Sequence, residues 1–116
     1  MDRKRVATYV LIGSLVFVFG WFGIDKFRDP YFWSTYLPDW MEGLMNIPGT
    51  SWVVVIGLFE LLLALLLLIP IRRLRRVAVT LMILHLIGIL WQVGWNDIGV
   101  RDIGLAMSAA ALLILL

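Results

Sequence analysis

Two ionisable side chains stand deep inside long apolar runs of the sequence, Glu60 and His85. A carboxyl and an imidazole are the groups that most often pass protons in proteins, and a bare charge in hydrocarbon is costly enough that such residues mark function by default. Glu60 lies eight residues from Trp52 and His85 ten from Trp95. Helical rise puts them about 12 Å and about 15 Å below those tryptophans, at similar depth near the membrane midplane. Glu60 shares a helical face with Gly57 and Ala64, and His85 with Gly88 and Gln92. Antiparallel neighbours would therefore bring the two together. One chemistry is a proton-exchanging pair beside an intramembrane ligand. The other is a neutral hydrogen bond that fixes one helix against the next, worth about 0.6–1.7 kcal/mol. The first is favoured.

A second constellation lies where the apolar runs end. Asp25, Lys26, Arg28 and Asp29 close the first run, and Asp97, Arg101 and Asp102 bracket the start of the last. Asp102 near a helix N-terminus would satisfy free backbone amides and the helix dipole. Lys26 and Arg28 can pair with Asp97 or Asp102 across the bundle mouth, or can receive an anionic head group. Ion pairing is the stronger expectation, since exposed charge clusters rarely do chemistry. The candidate site thus comprises Glu60 and His85 as proton-handling residues, with Lys26, Gln92 and Asp102 as ligand contacts.

Other chemistries lack their residues. Without cysteine there is no disulfide, thiol nucleophile, iron–sulfur cluster or c-type haem attachment. One histidine cannot build a closed zinc site or a bis-histidine haem, so no metal or haem held by this chain alone is expected. No glycine-rich phosphate loop or Ser–His–Asp pattern appears. The formal charge of +2 comes from basic residues clustered beside apolar runs, a topology signal that implies no nucleic-acid partner.

The elements that must position these residues follow from hydropathy. The 116-residue chain is 62% hydrophobic, with a mean hydropathy of +0.96. Soluble domains stay near roughly 45–50% apolar residues. Four runs at about 6–24, 51–71, 77–95 and 100–116 approach the roughly 20 residues that cross a bilayer. The basic start lacks a small-residue cleavage site and reads as the first membrane helix. Residues 25–50 carry aromatic and apolar residues at roughly helical spacing, broken by Pro38, and predict short interfacial helices over the bundle mouth. The expected fold is all-α: a single-domain integral membrane four-helix bundle with an interfacial segment between the first two spans. Small residues are expected on the inward faces, namely Gly13 and Gly20, Gly57 and Ala64, and Gly104, Ser108 and Ala111, with 61–63 facing lipid.

Seven of the ten basic residues (Arg3, Lys4, Arg5, Arg72, Arg73, Arg75 and Arg76) fall on one face. The positive-inside rule places that face, with both termini, on the cytoplasmic side of the cytoplasmic (inner) membrane. All six tryptophans fall near the opposite face, as an interfacial aromatic belt does.

Three segments together resemble the DoxX family of small four-helix membrane proteins. Gly23-Ile24-Asp25-Lys26 is similar to the family's G-x-x-K. Ile47-Pro48-Gly49 leading to Glu60, with a leucine-rich tail ending at Pro70, resembles its second block. Val100-Arg101-Asp102-Ile103-Gly104-Leu105 resembles its third. The resemblance implies a subunit or accessory of quinone-linked redox or oxidative-stress systems, with Lys26, Glu60 and Asp102 as the positions that matter and a quinone as the implied cofactor. His85 lies outside it.

The chain has no self-contained catalytic motif, so the expectation is at most a subunit of a quinone oxidoreductase. Its expected partners are membrane lipids and either copies of itself or a heteromeric membrane complex. A non-catalytic scaffold is the alternative. A proton-coupled small-molecule transporter ranks third: small multidrug transporters share the length, the four spans and a membrane glutamate, but theirs lies in the first helix and their loops are short.

Overall fold

The structure is a computed structural model that describes residues 2–116. Its elements are α1 (Arg3–Arg28), α2 (Pro30–Ser34), 3-10 turns at Asp39–Met41 and Leu44–Asn46, α3 (Gly49–Leu68), α4 (Arg72–Val93) and α5 (Asp97–Leu115). Helices α1, α3, α4 and α5 are each long and apolar enough to cross a membrane, and the chain is an all-α membrane four-helix bundle.

Local chemistry explains where the helices start and stop. The Asp2 side chain accepts from the Lys4 amide at 3.2 Å, so α1 begins within the basic cluster rather than after it. Pro30 disfavours helix at the residue before it; Asp29 leaves the helical region, accepts from the Phe32 amide at 3.2 Å and starts α2. Gly94, at φ 79°, ends α4 in a conformation that glycine adopts without strain. Asn96 caps α5 by accepting from the Gly99 amide at 3.0 Å. The capping role expected of Asp102 therefore belongs to Asn96, and Asp102 sits more than a turn inside α5.

The spanning helices run up and down around a ring. The α1–α3 and α4–α5 seams are extensive, α3–α4 is intermediate, and α1–α5 is the thinnest. Only one of the expected small-residue faces packs as anticipated. Gly57 and Ala64 are buried, and a Cβ on Gly57 would lie 2.8 Å from the Gly23 carbonyl oxygen and 2.9 Å from the Lys26 Cβ. Gly23 is thus the partner of Gly57. Gly13 and Gly20 would meet nothing within 4 Å, because the buried face of α1 is Ile12, Leu15, Phe19, Gly23 and Lys26. Gly104 and Ala111 are likewise exposed, and α5 turns Asp102, Ala109 and Leu112 inward. Of residues 61–63 only Leu62 is exposed. Leu61 meets Gly23 and Leu63 joins the core.

The end of the bundle that carries the arginines is solid. Ile12, Leu15, Leu63, Leu67, Val79, Met82 and Leu112 form a close-packed apolar core there. Arg75 Nε donates to the Leu67 carbonyl at 3.0 Å, while Arg72 Nε and Arg76 Nη2 donate to that of Leu116. These side chains satisfy carbonyls that a helix C-terminus leaves free. At the other end, α2 and the two turns lie over the mouth. The Gly49 amide donates to Glu42 Oε1 at 3.2 Å, and Trp52 Nε1 to the Leu44 carbonyl at 3.2 Å, latching this cover to α3.

Gly57→Leu should force α1 off α3, an overpacking cost of about 1–3 kcal/mol that lowers Tm in detergent by several degrees. Gly13→Leu should leave Tm unchanged. Equal Tm values for the two variants would contradict the Gly23–Gly57 contact.

Candidate functional site

The Gly23–Gly57 contact sets the site. Lys26 lies one turn beyond Gly23 and Glu60 one turn beyond Gly57, so their Cα atoms are separated by about 9 Å along the helix axes. Cα–Cβ bonds tilt toward a helix N-terminus, and α1 and α3 are antiparallel, so the two side chains lean toward each other. Lys26 Nζ reaches 2.7 Å from Glu60 Oε1, an ion pair by distance whose angles fall outside hydrogen-bond geometry. From α4, His85 Nε2 lies 3.1 Å from Glu60 Oε2. Glu60 and Lys26 are 5% and 9% exposed, so the carboxylate meets its partners away from water.

Aromatic rings hold this cluster. The Lys26 ammonium stands 4.4 Å from the Trp33 ring centroid and 5.9 Å from that of Phe22, within cation–π range. Trp33 is fixed by Nε1 donating to Asp25 Oδ2 at 2.8 Å. The His85 ring packs edge-on to Phe59 at 5.5 Å and tilted against Phe19 at 6.1 Å. The Arg101 guanidinium also lies 4.3 Å from the Phe22 ring centroid. Arg101 Nε and Nη2 each sit 2.9 Å from Asp102 Oδ1. The Asp102 side chain is fully buried, and its Oδ2 has no hydrogen-bond partner among the described residues.

Lys26, Trp33, Glu60, His85, Arg101 and Asp102 line one cavity of about 500 Å³ in the half of the bundle nearer the cover. Phe19, Glu60, His85 and Leu86 form its floor. Its walls include Phe22, Gln92, Arg101 and Leu105, and Trp33, Tyr36, Leu37, Trp40 and Met41 of the cover close over it. All five residues singled out from the sequence (Lys26, Glu60, His85, Gln92 and Asp102) border this one space. Their pairings differ from expectation at two points. Lys26 reaches Glu60 rather than Asp97 or Asp102, because its side chain leans down α1 toward the midplane. Asp102 takes its own neighbour Arg101 on the same cavity wall. The Glu60–His85 contact is one limb of a three-residue cluster. Arg101 is a site residue that the sequence reading does not single out; its position directly before Asp102 is the available signal.

A family model described as a domain of unknown function (DUF8561) matches residues 15–92. The chain belongs to the DUF8561 family. The matched region holds Lys26, Glu60, His85 and Gln92, and leaves Arg101 and Asp102 on α5 outside it. No curated protein and no solved structure matches the chain.

Lys26→Met would strand a buried carboxylate, which generally costs about 3–5 kcal/mol. Adding Glu60→Gln should restore most of that loss, because the amide needs no cation. Unfolding in detergent, read as a double-mutant cycle, measures the coupling; strictly additive losses would contradict the ion pair.

Proposed function

We propose that this chain is a DoxX-like, quinone-binding membrane subunit of a redox or oxidative-stress system. The observation that carries the reading is the Glu60 carboxylate, bridged by Lys26 and His85 on the floor of an aromatic-walled cavity of about 500 Å³. The DoxX relation itself rests on the order of three short motifs.

The residues present fit a quinone head. The cavity lies within the roughly 300–1,000 Å³ that small-molecule sites occupy, and its walls are apolar and aromatic with few polar groups. Both Glu60 oxygens and Asp102 Oδ1 already face cations or an imidazole. Lys26 and Arg101 retain unengaged N–H groups and Gln92 adds an amide, donors that suit carbonyl oxygens, beside the unpaired acceptor Asp102 Oδ2. A quinone, when bound, supplies reversible uptake of two electrons and two protons. The chain's own part is to bind the flat head among Phe22, Trp33 and Tyr36, to exclude water with the cover, and to hold a proton between His85 Nε2 and Glu60 Oε2. A redox partner belongs to this reading, as does assembly with copies of itself or other membrane subunits. So do placement in the cytoplasmic membrane and cytoplasmic termini by the positive-inside rule.

The scaffold reading draws on one observation of its own. Glu60 is met on both oxygens, as a lock between α1, α3 and α4 would be.

Mass spectrometry of quinones and lipids retained by gently purified protein separates the two. Quinone near one per chain in wild type, depleted in Glu60→Gln and His85→Ala, is the expected result. Quinone absent from all three, each equally folded, would favour the scaffold.

A further inference from the structure

We infer that the Lys26–Glu60–His85 cluster trades ligand and protons with one side of the membrane only, the side that carries the residue 29–48 cover. This goes beyond the quinone reading and holds for any occupant of the cavity.

The two halves of the bundle differ in kind. Below the cluster, toward the arginine end, Leu15, Leu63, Leu67, Ala78, Val79, Met82, Ala109 and Leu112 are at most 1% exposed. Only Phe19 and Leu86 of that apolar core also touch the cavity, as its floor. From Glu60 to the end of α3 is eight residues, about 12 Å of helix without a titratable or polar side chain. Across that gap α1, α4 and α5 contribute only apolar side chains to the core. A proton or a polar head has no partner along it, and an unsatisfied polar group in such surroundings is costly.

Above the cluster the chemistry reverses. The charged or titratable groups that face Glu60's surroundings are Lys26 from α1, His85 from α4, Arg101 and Asp102 from α5, and Tyr36 from the cover. Each lies level with the cluster or toward the cover. Gln92 and Gly88 line this wall, and a Cβ on Gly88 would meet nothing within 4 Å. Polar groups thus lead outward in one direction, and a packed aliphatic plug closes the other. Alternating access would require that plug to open.

The chain contains no cysteine, so single cysteines can be read without background. Gln92→Cys and Gly88→Cys place a thiol on the cavity wall, and Ala64→Cys places one in the plug. Asp39→Cys and Arg73→Cys mark the cover and arginine faces. In sealed proteoliposomes, a membrane-impermeant charged thiol reagent applied from outside labels the population that Asp39→Cys identifies. Thiols at 92 and 88 should follow Asp39→Cys, losing labelling in vesicles that expose the Arg73→Cys face. The thiol at 64 should stay unlabelled from both faces. Labelling of 88, 92 or 64 from the arginine face would overturn the inference. So would protection of both 88 and 92 from either face, which would mean that the cavity is closed to water on each side.

Discussion

A carboxylate halfway down a membrane bundle must be matched where it stands. Glu60 is matched twice, by an ammonium at 2.7 Å and an imidazole at 3.1 Å, from helices on either side of its own. That requirement dictates much of the rest. Lys26 can deliver its ammonium only because Gly23 and Gly57 let α1 and α3 approach backbone to backbone. The ammonium, with one direction engaged by Glu60, is enclosed by Phe22 and Trp33, whose ring faces suit a cation in a poorly hydrated place. Trp33 in turn belongs to a cover held down by Asp25, Glu42 and Trp52.

The same constraint divides the bundle. The arginine end has no charge to accommodate internally and packs as an aliphatic core. Packing there resembles a soluble interior, with Leu15, Leu67 and Met82 wholly buried. At the cover end the helices enclose a cavity instead, and the rings that line it do the work that water would do around exposed charges. Phe22 is central, with Lys26 and Arg101 both within cation–π reach and Trp33 edge-on at 5.6 Å. Arg101 is held by Asp102, so the second acid of the site acts through its neighbour.

Much of this was legible in the sequence. Hydropathy gives four spans, the tryptophans mark one face, and similar depth below Trp52 and Trp95 brings Glu60 to His85. The aromatic run at 25–50 gives the cover. Helix phase was not legible in α1 and α5. A membrane helix is apolar all round, so little amphipathic contrast shows which face is inward, and Gly13, Gly20 and Gly104 face outward while Leu15 and Phe19 fill the interior. The better signal was a pairing of motifs. Gly23-x-x-Lys26 and Gly57-x-x-Glu60 share a spacing, and antiparallel packing on the glycines makes the charges meet. Asp102 is no cap because Asn96, the residue that caps, lies before the expected start of the span.

The most direct test of the central claim is the infrared spectrum of Glu60 itself. The chain has two glutamates, Glu42 and Glu60, so carbon-13 glutamate labelling with a Glu42→Gln variant isolates one carboxyl in the reconstituted protein. An ionised Glu60 paired with Lys26 gives a carboxylate stretch at neutral pH that is perturbed in Lys26→Met. A protonated carbonyl stretch, identical with and without Lys26, would contradict the ion pair on which the site is built.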